Sequence, residues 1–151
     1  MVDSYKIINL REESEFLDQY IDLRNQNTDF LLTKPVTITE TNEWIRQEGI
    51  EIRGLASSGI LLGVAVLYLE KGGEIAVFTR HPNRGTGSIL LKAIEEVAKA
   101  HQISPVWAWV STNNAIAKRT FLKNGYHVEG EADKTRNHQT IKGILFKKEV
   151  R

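Results

Sequence analysis

The sequence predicts an α/β or α+β fold with a mixed β-sheet. In some short segments apolar and polar residues alternate, which predicts strands. Between them lie segments in which apolar residues recur every three or four positions, which predicts helices. The chain has 151 residues, of which 41% are hydrophobic and 26% charged, as is typical of a globular domain with a buried core. Since no repeat or flexible linker interrupts it, we expect one domain over residues 1–151.

The sequence of the N-terminal half predicts four strands and two helices. Apolar residues around Tyr20 recur at helical spacing, and Thr37 and Glu40 have the spacing of a capping box that opens a second helix. Gly and Ser pairs separate the strands that follow. The predicted elements are a strand over 5–10, a helix over 14–25, a loop over 25–35, a helix over 37–45, and strands over 50–57, 60–69 and 74–79.

The C-terminal half begins with the most regular helix of the sequence. After residue 87 the hydrophobic period changes from about 2 to about 3.6 residues. Asn114 lies at a helix start and Gly125 at a helix end. Trp107 and Trp109 alternate with small residues, which places both rings on one face of a strand for core packing or cofactor lining. The predicted elements are a helix that ends before 103–105, a strand over 106–110, a helix over 114–125, and a hairpin of 126–131 and 140–147 around a polar loop, 132–139.

Charge and composition exclude several classes of protein. The chain has 20 Lys and Arg against 19 Asp and Glu, whereas nucleic-acid-binding domains carry a basic excess. The longest apolar run, 59–69, is shorter than the ~20 residues that cross a bilayer, and the N-terminus lacks the apolar core of a signal peptide. Cysteine is absent, which rules out a cysteine nucleophile and favours a reducing compartment. We expect a cytoplasmic protein with no membrane or nucleic-acid partner.

A glycine-containing loop joins the strand over 74–79 to the long helix. Its two glycines let a ligand approach the backbone, and the first amides of the helix attract an anion. An arginine beside them suits phosphate, and two hydroxyl groups add donors. The pattern is neither a P-loop nor a complete dinucleotide-binding loop. A phosphate site and a structural turn that caps a helix therefore both remain open. The residues concerned are Arg84, Gly85, Thr86, Gly87 and Ser88.

A second segment favours the phosphate site. Asn114, Ala117, Phe121 and Gly125 follow one another at intervals of 3, 4 and 4 residues. Together with the glycine loop, this segment resembles the GNAT superfamily of acetyl-CoA-dependent N-acetyltransferases, most strongly over residues 74–130. The resemblance implies a central mixed, mostly antiparallel sheet flanked by helices. It also implies that acetyl-CoA binds in the splay between the fourth and fifth main strands.

The resemblance assigns the CoA pyrophosphate to the glycine loop. Strand amides near residues 77–79 would polarise the thioester carbonyl, and Asn114 would bind the pantetheine arm, whereas its spacing alone makes it a helix N-cap. A match anchored on the helix places Pro82 where the family has Gln or Arg, while a match anchored on the strand leaves the loop short. The predicted cofactor-binding residues are Val77, Phe78, Thr79, Arg84, Gly85, Thr86, Gly87, Ser88, Asn114, Ala117 and Phe121.

The implied reaction is direct attack of a primary amine on the thioester in a ternary complex, which suits a chain without cysteine. Glu74 is the first candidate for accepting the amine proton, through water, since a partly buried carboxylate can have a raised pKa. A solvated charge at the start of a strand is the other interpretation of Glu74. Glu70, His81 and Glu131 are weaker candidates.

Phe121 stands where the family commonly has a tyrosine that protonates the leaving thiolate. Either the thiolate leaves unassisted, or Ser111, Thr112 or a water supplies the proton. The predicted catalytic residues are therefore Glu74 and Ser111. Phe121 and Pro82 also motivate an alternative function, a catalytically weak or inactive CoA-binding regulatory module of the same fold.

The acceptor is expected between the loop over 25–35 and the hairpin tip over 132–138, where Asp29, Glu131 and Asp133 would attract an amine. It is an amino sugar, a small amine or a protein N-terminus, and the enzyme is a monomer or a homodimer. The four histidines lack the spacing of metal ligands, so no metal is predicted.

Overall fold

The computed structural model describes residues 4–26, 37–81, 84–136 and 138–151, and over these residues nine strands and four α-helices are found. The strands are β1 (Lys6–Asn9), β2 (Ile50–Ser57), β3 (Ile60–Tyr68), β4 (Glu74–Thr79), β5 (Val106–Ser111), β6 (His127–Glu131), β7 (Lys134–Arg136), β8 (Gln139–Ile141) and β9 (Gly143–Lys148). The helices are α1 (Leu17–Gln26), α2 (Ile38–Ile45), α3 (Thr86–Ala100) and α4 (Ala115–Lys123).

Seven of these strands form one sheet, in the order β1-β2-β3-β4-β5-β9-β6. Only β4 and β5 run parallel to each other, and all other neighbours in this sheet are antiparallel. The predicted mixed fold is therefore confirmed, with a mostly antiparallel sheet between the helices. No helix within the described ranges has the length and hydropathy needed to cross a bilayer.

Two hydrophobic clusters cover the two faces of the sheet. One contains the buried side of α3, with Leu90, Leu91 and Ile94, against residues of β3, β5 and β9. The other contains Tyr20 and Leu23 of α1 against residues of β1, β2 and β3. Because side chains alternate along each strand, the central strands contribute to both clusters. The sheet is thus fixed from both sides, and α3 is held at the carboxyl end of β4.

The predicted caps of two helices are found. Thr37 is the N-cap of α2, where its Oγ1 accepts a hydrogen bond from the Glu40 N–H at 3.2 Å and donates to the Glu40 carboxylate at 3.0 Å. Asn114 is the N-cap of α4, and its Oδ1 accepts from the Ala117 N–H at 3.1 Å. Such caps depend on residues three positions apart, so local sequence predicts them well.

Two predicted loops differ from the structure. The prediction of a polar loop over 132–139 is wrong, because β7 and β8 form a separate two-stranded antiparallel ribbon there. Both strands are polar and mostly exposed, so no hydrophobic alternation marks them. The loop predicted over 25–35 is wrong at its first two residues, because α1 continues to Gln26. Its remaining residues lie outside the described part of the chain.

A buried polar cluster ties α3 to the last strands of the chain. The Glu95 carboxylate is 6% exposed and accepts hydrogen bonds from the Tyr126 hydroxyl at 2.8 Å and from Lys148 Nζ at 3.0 Å. Lys148 also donates to the Asn124 carbonyl at 2.8 Å. Burial, reinforced by the neighbouring Glu95 carboxylate, raises the pKa of Tyr126 far above its ordinary value of 10.0.

We expect the free energy of unfolding to fall as the pH rises above 10. The Tyr126 phenol keeps its proton in the folded protein at pH values where the unfolded chain loses it, so its contribution is full below pH 10 and declines above it. The expected slope is about 1.4 kcal/mol per pH unit for this one tyrosine. Urea unfolding on both sides of pH 10 measures the slope. Tyr126→Phe should reduce it, whereas Tyr5→Phe, at an exposed position, should not. Equal slopes in the two variants would contradict the assignment.

Candidate functional site

A cavity of about 1040 Å³ opens where β4 and β5 separate and extends over the N-terminus of α3. Its wall contains residues from β3, β4 and β5 and from α1, α3 and α4. Every residue predicted from the sequence as catalytic or cofactor-binding lies in this wall, although their roles stay predictions. They are Glu74, Val77, Phe78, Thr79, Arg84, Gly85, Thr86, Gly87, Ser88, Ser111, Asn114, Ala117 and Phe121.

The separation of β4 from β5 exposes one edge of β4. The two strands pair at a single register position, Glu74 opposite Trp107. On one side, the N–H of Arg80, the residue after β4, donates to the Leu62 carbonyl of β3 at 2.7 Å. On the other side, the Gly73 carbonyl accepts from the Trp107 N–H at 3.1 Å. Backbone groups therefore point toward β3 at even positions of β4 and toward β5 at odd positions.

It follows that the N–H groups of Val77 and Thr79 face the cavity, beyond the point where β5 supplies a register partner. Phe78 differs, since its backbone groups point toward β3. Its side chain is buried in the second hydrophobic cluster, 6.0 Å from the Tyr20 ring between centroids. The cavity thus offers two backbone donors, from residues 77 and 79, on one wall.

The glycine loop forms the opposite end of the cavity. Gly85 is the N-cap of α3 with φ +77°, in the left-handed region that favours glycine, and no side chain caps the helix there. Gly87 lies in the first turn, where a Cβ would stand 3.3 Å from Thr120 Cγ2 of α4. The uncapped first amides of a helix carry partial positive charge and bind anions.

Basic side chains surround this helix terminus. Arg84 precedes α3, and Arg119 and Lys123 of α4 also line the cavity. Lys118 of the same helix is not among the residues of the wall. Ser88 in the first turn of α3 accepts a hydrogen bond from Asn124 Nδ2 at 2.9 Å, which fixes α3 against the end of α4. This end of the cavity fits the pyrophosphate of a nucleotide cofactor.

Glu74 lies where β4 and β5 begin to separate, with its side chain 14% exposed and Lys71 Nζ at 3.8 Å. His81 also lines the cavity. Glu70 lines a different, smaller cavity beside Trp44. Glu131 and Asp133 are exposed and are not in the wall of the larger cavity. Among the predicted carboxylates of the described chain, Glu74 is therefore the one that the fold brings to this cavity.

Phe121 is both a wall residue and a core residue. It is 5% exposed, and its ring packs edge-on to Tyr126 at 5.0 Å and stacks on Phe146 at 5.6 Å between centroids. Ser111 is also buried, and its Oγ accepts from the Asn113 N–H at 3.3 Å. The Thr112 hydroxyl instead donates to the Lys142 carbonyl, away from the cavity wall.

The ring of Trp109 lies against Gly143 of β9, and Trp109 lines the cavity. Its Nε1 donates to the Ala132 carbonyl at 2.6 Å, and Lys134 Nζ lies 4.6 Å from the ring centroid. A Cβ on Gly143 would stand 2.2 Å from Trp109 Cε2, so only glycine leaves room for the ring. Trp107, by contrast, donates to the Lys71 carbonyl at 2.9 Å.

Three further residues of the cavity wall were not predicted from the sequence as site residues: Tyr20, Arg24 and Tyr68. Burial raises the pKa of both tyrosines, and the nearby Arg24 guanidinium partly opposes the rise. Tyr20 and Arg24 share a helical spacing, and Tyr68 ends an otherwise apolar strand, but nothing local joins the two segments. Over the described residues, no group of three His, Asp or Glu side chains is placed to hold a metal ion.

Comparison with known proteins identifies the family. Residues 13–126 match the sequence model of the acetyltransferase (GNAT) family. The chain therefore belongs to the acetyltransferase (GNAT) family. The predicted family, enzyme class and GNAT-like fold are confirmed. No curated protein matches the chain in sequence.

Solved structures share the fold at low sequence identity. Spermidine N-acetyltransferase from Vibrio cholerae, in complex with CoA and spermine, is 13% identical with a TM-score of 0.81, over 97% of this chain and 95% of that chain. Ribosomal-protein-alanine N-acetyltransferase from Brucella melitensis is 16% identical with a TM-score of 0.82, over 95% and 99%. The yncA protein from Salmonella typhimurium, with its cofactor acetyl-CoA, is 14% identical with a TM-score of 0.83, over 99% and 95%.

Proposed function

We propose that residues 1–151 act as one acetyltransferase domain that moves an acetyl group from acetyl-CoA to a primary amine by direct attack in a ternary complex. One observation carries the proposal: a single cavity joins the exposed edge of β4 to the uncapped N-terminus of α3. We place the enzyme in the cytoplasm, because the cysteine-free sequence favours a reducing compartment. We also propose that it is a monomer or a homodimer.

The residues of the cavity fit acetyl-CoA at both ends. Bound there, acetyl-CoA would supply an activated thioester. The first amides of α3 and the Arg84 guanidinium would hold the pyrophosphate. The N–H groups of Val77 and Thr79 would donate to the carbonyl oxygen and stabilise the negative charge that develops on it.

Glu74 would accept the proton that the amine loses, directly or through a water. The amine nitrogen forms a bond to the carbonyl carbon, the bond from that carbon to sulfur breaks, and the thiolate leaves with the electron pair. Ser111 or a water would return a proton to the sulfur, since Phe121 has none to give. The Glu74 carboxylate lies 3.8 Å from Lys71 Nζ.

Glu74→Gln is expected to lower kcat by about 100-fold or more near neutral pH, because an amide cannot accept the proton. Binding of acetyl-CoA should stay unchanged, since Glu74 lies at the other end of the cavity from the glycine loop. Thiol release across a pH series measures the effect. Glu70→Gln, which alters a carboxylate beside the smaller cavity, is the matched control. An unchanged pH profile in Glu74→Gln would reject this residue as the base.

Thermal denaturation with acetyl-CoA, CoA and ATP tests the proposed function as a whole. We expect the two CoA species to raise Tm and ATP to do so less. A second candidate, a CoA-binding regulatory module with little or no turnover, is favoured by the buried Phe121 ring. Stabilisation by CoA without thiol release across a panel of amines would support that candidate. No stabilisation by either CoA species would reject both.

A further inference from the structure

A side-chain amide links the end of α4 to the first turn of α3. Asn124, the C-cap of α4, donates from Nδ2 to Ser88 Oγ at 2.9 Å and to the Thr120 carbonyl oxygen at 2.7 Å. A carbonyl oxygen can only accept a hydrogen bond, so the nitrogen of the amide and not its oxygen must face Thr120. The same nitrogen faces Ser88, and the Ser88 oxygen is therefore the acceptor in that hydrogen bond.

Because Ser88 accepts from Asn124, its own hydrogen remains for another partner. A hydroxyl group has one hydrogen to donate and two lone pairs with which to accept. Asn124 occupies one lone pair, and within the described part of the chain no group accepts the Ser88 hydrogen. Ser88 is half-buried in the wall of the cavity, whereas Asn124 is not among the residues of that wall. The cavity thus has a hydroxyl donor whose orientation is set from outside it.

The backbone of Asn124 is itself held in place. Its N–H donates to the Thr120 and Phe121 carbonyls at 3.2 Å each. Its carbonyl accepts from Lys148 Nζ at 2.8 Å, and Lys148 also donates to the buried Glu95 carboxylate of α3 at 3.0 Å. The amide that reaches Ser88 therefore comes from a segment that is anchored to both helices.

The Ser88 hydroxyl lies in the same helical turn as three backbone amides without helical partners. The first N–H that bonds within α3 is that of Ile89, which donates to the Gly85 carbonyl at 3.3 Å. The N–H groups of Thr86, Gly87 and Ser88 precede it and have no carbonyl within the helix to bind. An anion at this terminus accepts hydrogen bonds from such amides, and a hydroxyl in the same turn adds a further donor.

We propose that Asn124 is a positioning residue for the cofactor pyrophosphate: by donating to Ser88 Oγ, its amide directs the Ser88 hydrogen to a phosphate oxygen. The inference rests on the proposed function and adds to it a residue outside the cavity. Without the amide, the hydroxyl can rotate and donate to a carbonyl of the preceding turn, as serines in helices do. With a carboxylate in place of the amide, the hydrogen is drawn to residue 124 instead.

Asn124→Asp reverses the hydrogen bond and tests the proposal. The new carboxylate is nearly the same size as the amide but can only accept, so it takes the Ser88 hydrogen. We expect the Kd for acetyl-CoA, measured by calorimetry, to rise about 10-fold, the value of one hydrogen bond to a charged group. Asn9→Asp is the matched control, because it makes the same change of charge in β1 and still accepts from the Arg11 N–H. An unchanged Kd in Asn124→Asp would overturn the proposal.

A cycle of uncharged variants separates the hydroxyl from the added charge. Ser88→Ala removes the donor and should raise Kd about 10-fold. Asn124→Ala should raise Kd about 3-fold, because the released hydroxyl has three staggered orientations. In the Ser88→Ala background, Asn124→Ala should leave Kd nearly unchanged, since no hydroxyl remains to be oriented. Independent, multiplicative effects in the double variant would mean that Asn124 does not act through Ser88.

A truncated acetyl donor distinguishes positioning from a general disturbance of the fold. S-acetylpantetheine carries the thioester but no pyrophosphate. In Asn124→Asp, the ratio of kcat/KM for acetyl-CoA to kcat/KM for S-acetylpantetheine should fall about 10-fold. An equal loss with both donors would show that the residue is only structural and would overturn the assignment.

Failure of this inference and failure of the proposed function are distinguishable. If acetyl-CoA binds equally well to the natural sequence, to Asn124→Asp and to Ser88→Ala, the positioning role fails while the cofactor site stands. If acetyl-CoA does not bind to the natural sequence, the proposed function fails and this inference fails with it.

Discussion

Gly87→Glu is expected to abolish acetyl-CoA binding. The first turn of α3 lies so close to α4 that even a Cβ at this position would be 3.3 Å from Thr120 Cγ2. A glutamate would have to extend into the cavity, where its bulk and negative charge oppose a pyrophosphate at the helix N-terminus. We expect Kd to rise at least 100-fold, which is about 2.7 kcal/mol.

Calorimetric titration with acetyl-CoA measures this effect. Gly130→Glu is the matched control, because it adds the same side chain in β6, where nothing lies within 4 Å of the new Cβ and no wall of the cavity is touched. The control should bind normally. Normal binding by Gly87→Glu would place the pyrophosphate outside this loop.

Gly143→Ala is expected to destabilise the fold by about 3 kcal/mol, at the upper end for overpacking. The new Cβ would lie 2.2 to 2.3 Å from three atoms of the Trp109 ring, which is rigid and anchored by its hydrogen bond to Ala132. The ring must therefore leave its place in the cavity wall. Activity should fall with stability.

Urea unfolding and a second substitution check this result. Trp109→Leu in the Gly143→Ala background removes the overlap, so the double variant should be less destabilised than the sum of the two single changes. Gly130→Ala, at an open position of the neighbouring strand, should change stability by less than about 0.5 kcal/mol. Strict additivity of the two single changes would contradict the assigned overlap.

Features that depend on short-range pattern were accessible from the sequence. The bounds of β4, the caps at Thr37 and Asn114 and the glycine loop before α3 all rest on residues within a few positions of one another. Because β4, the glycine loop and the Asn114 cap all line the cavity, the predicted cofactor-binding residues lie around it. The experiments above test the chemical role of these residues.

Other features depend on contacts between distant segments. Tyr20, Arg24 and Tyr68 come from α1 and β3, and only the packing of that helix on the sheet brings them together. Whether the amide of Phe78 or that of Val77 faces the cavity depends on the pairing register with β3, which no local pattern reveals. In the ribbon of β7 and β8, the residues whose exposure is described are exposed or partly exposed, so they produce no hydrophobic period.

The exposed edge of β4 has a consequence for sequence variation. Every amino acid except proline carries a backbone N–H, so the donors at residues 77 and 79 survive nearly any exchange of side chain there. What must persist is the early separation of β4 from β5 and the register that turns these two amides outward. Enzymes built this way can diverge far in sequence while the same two donors remain in place, and engineering can alter these side chains to reshape the cavity.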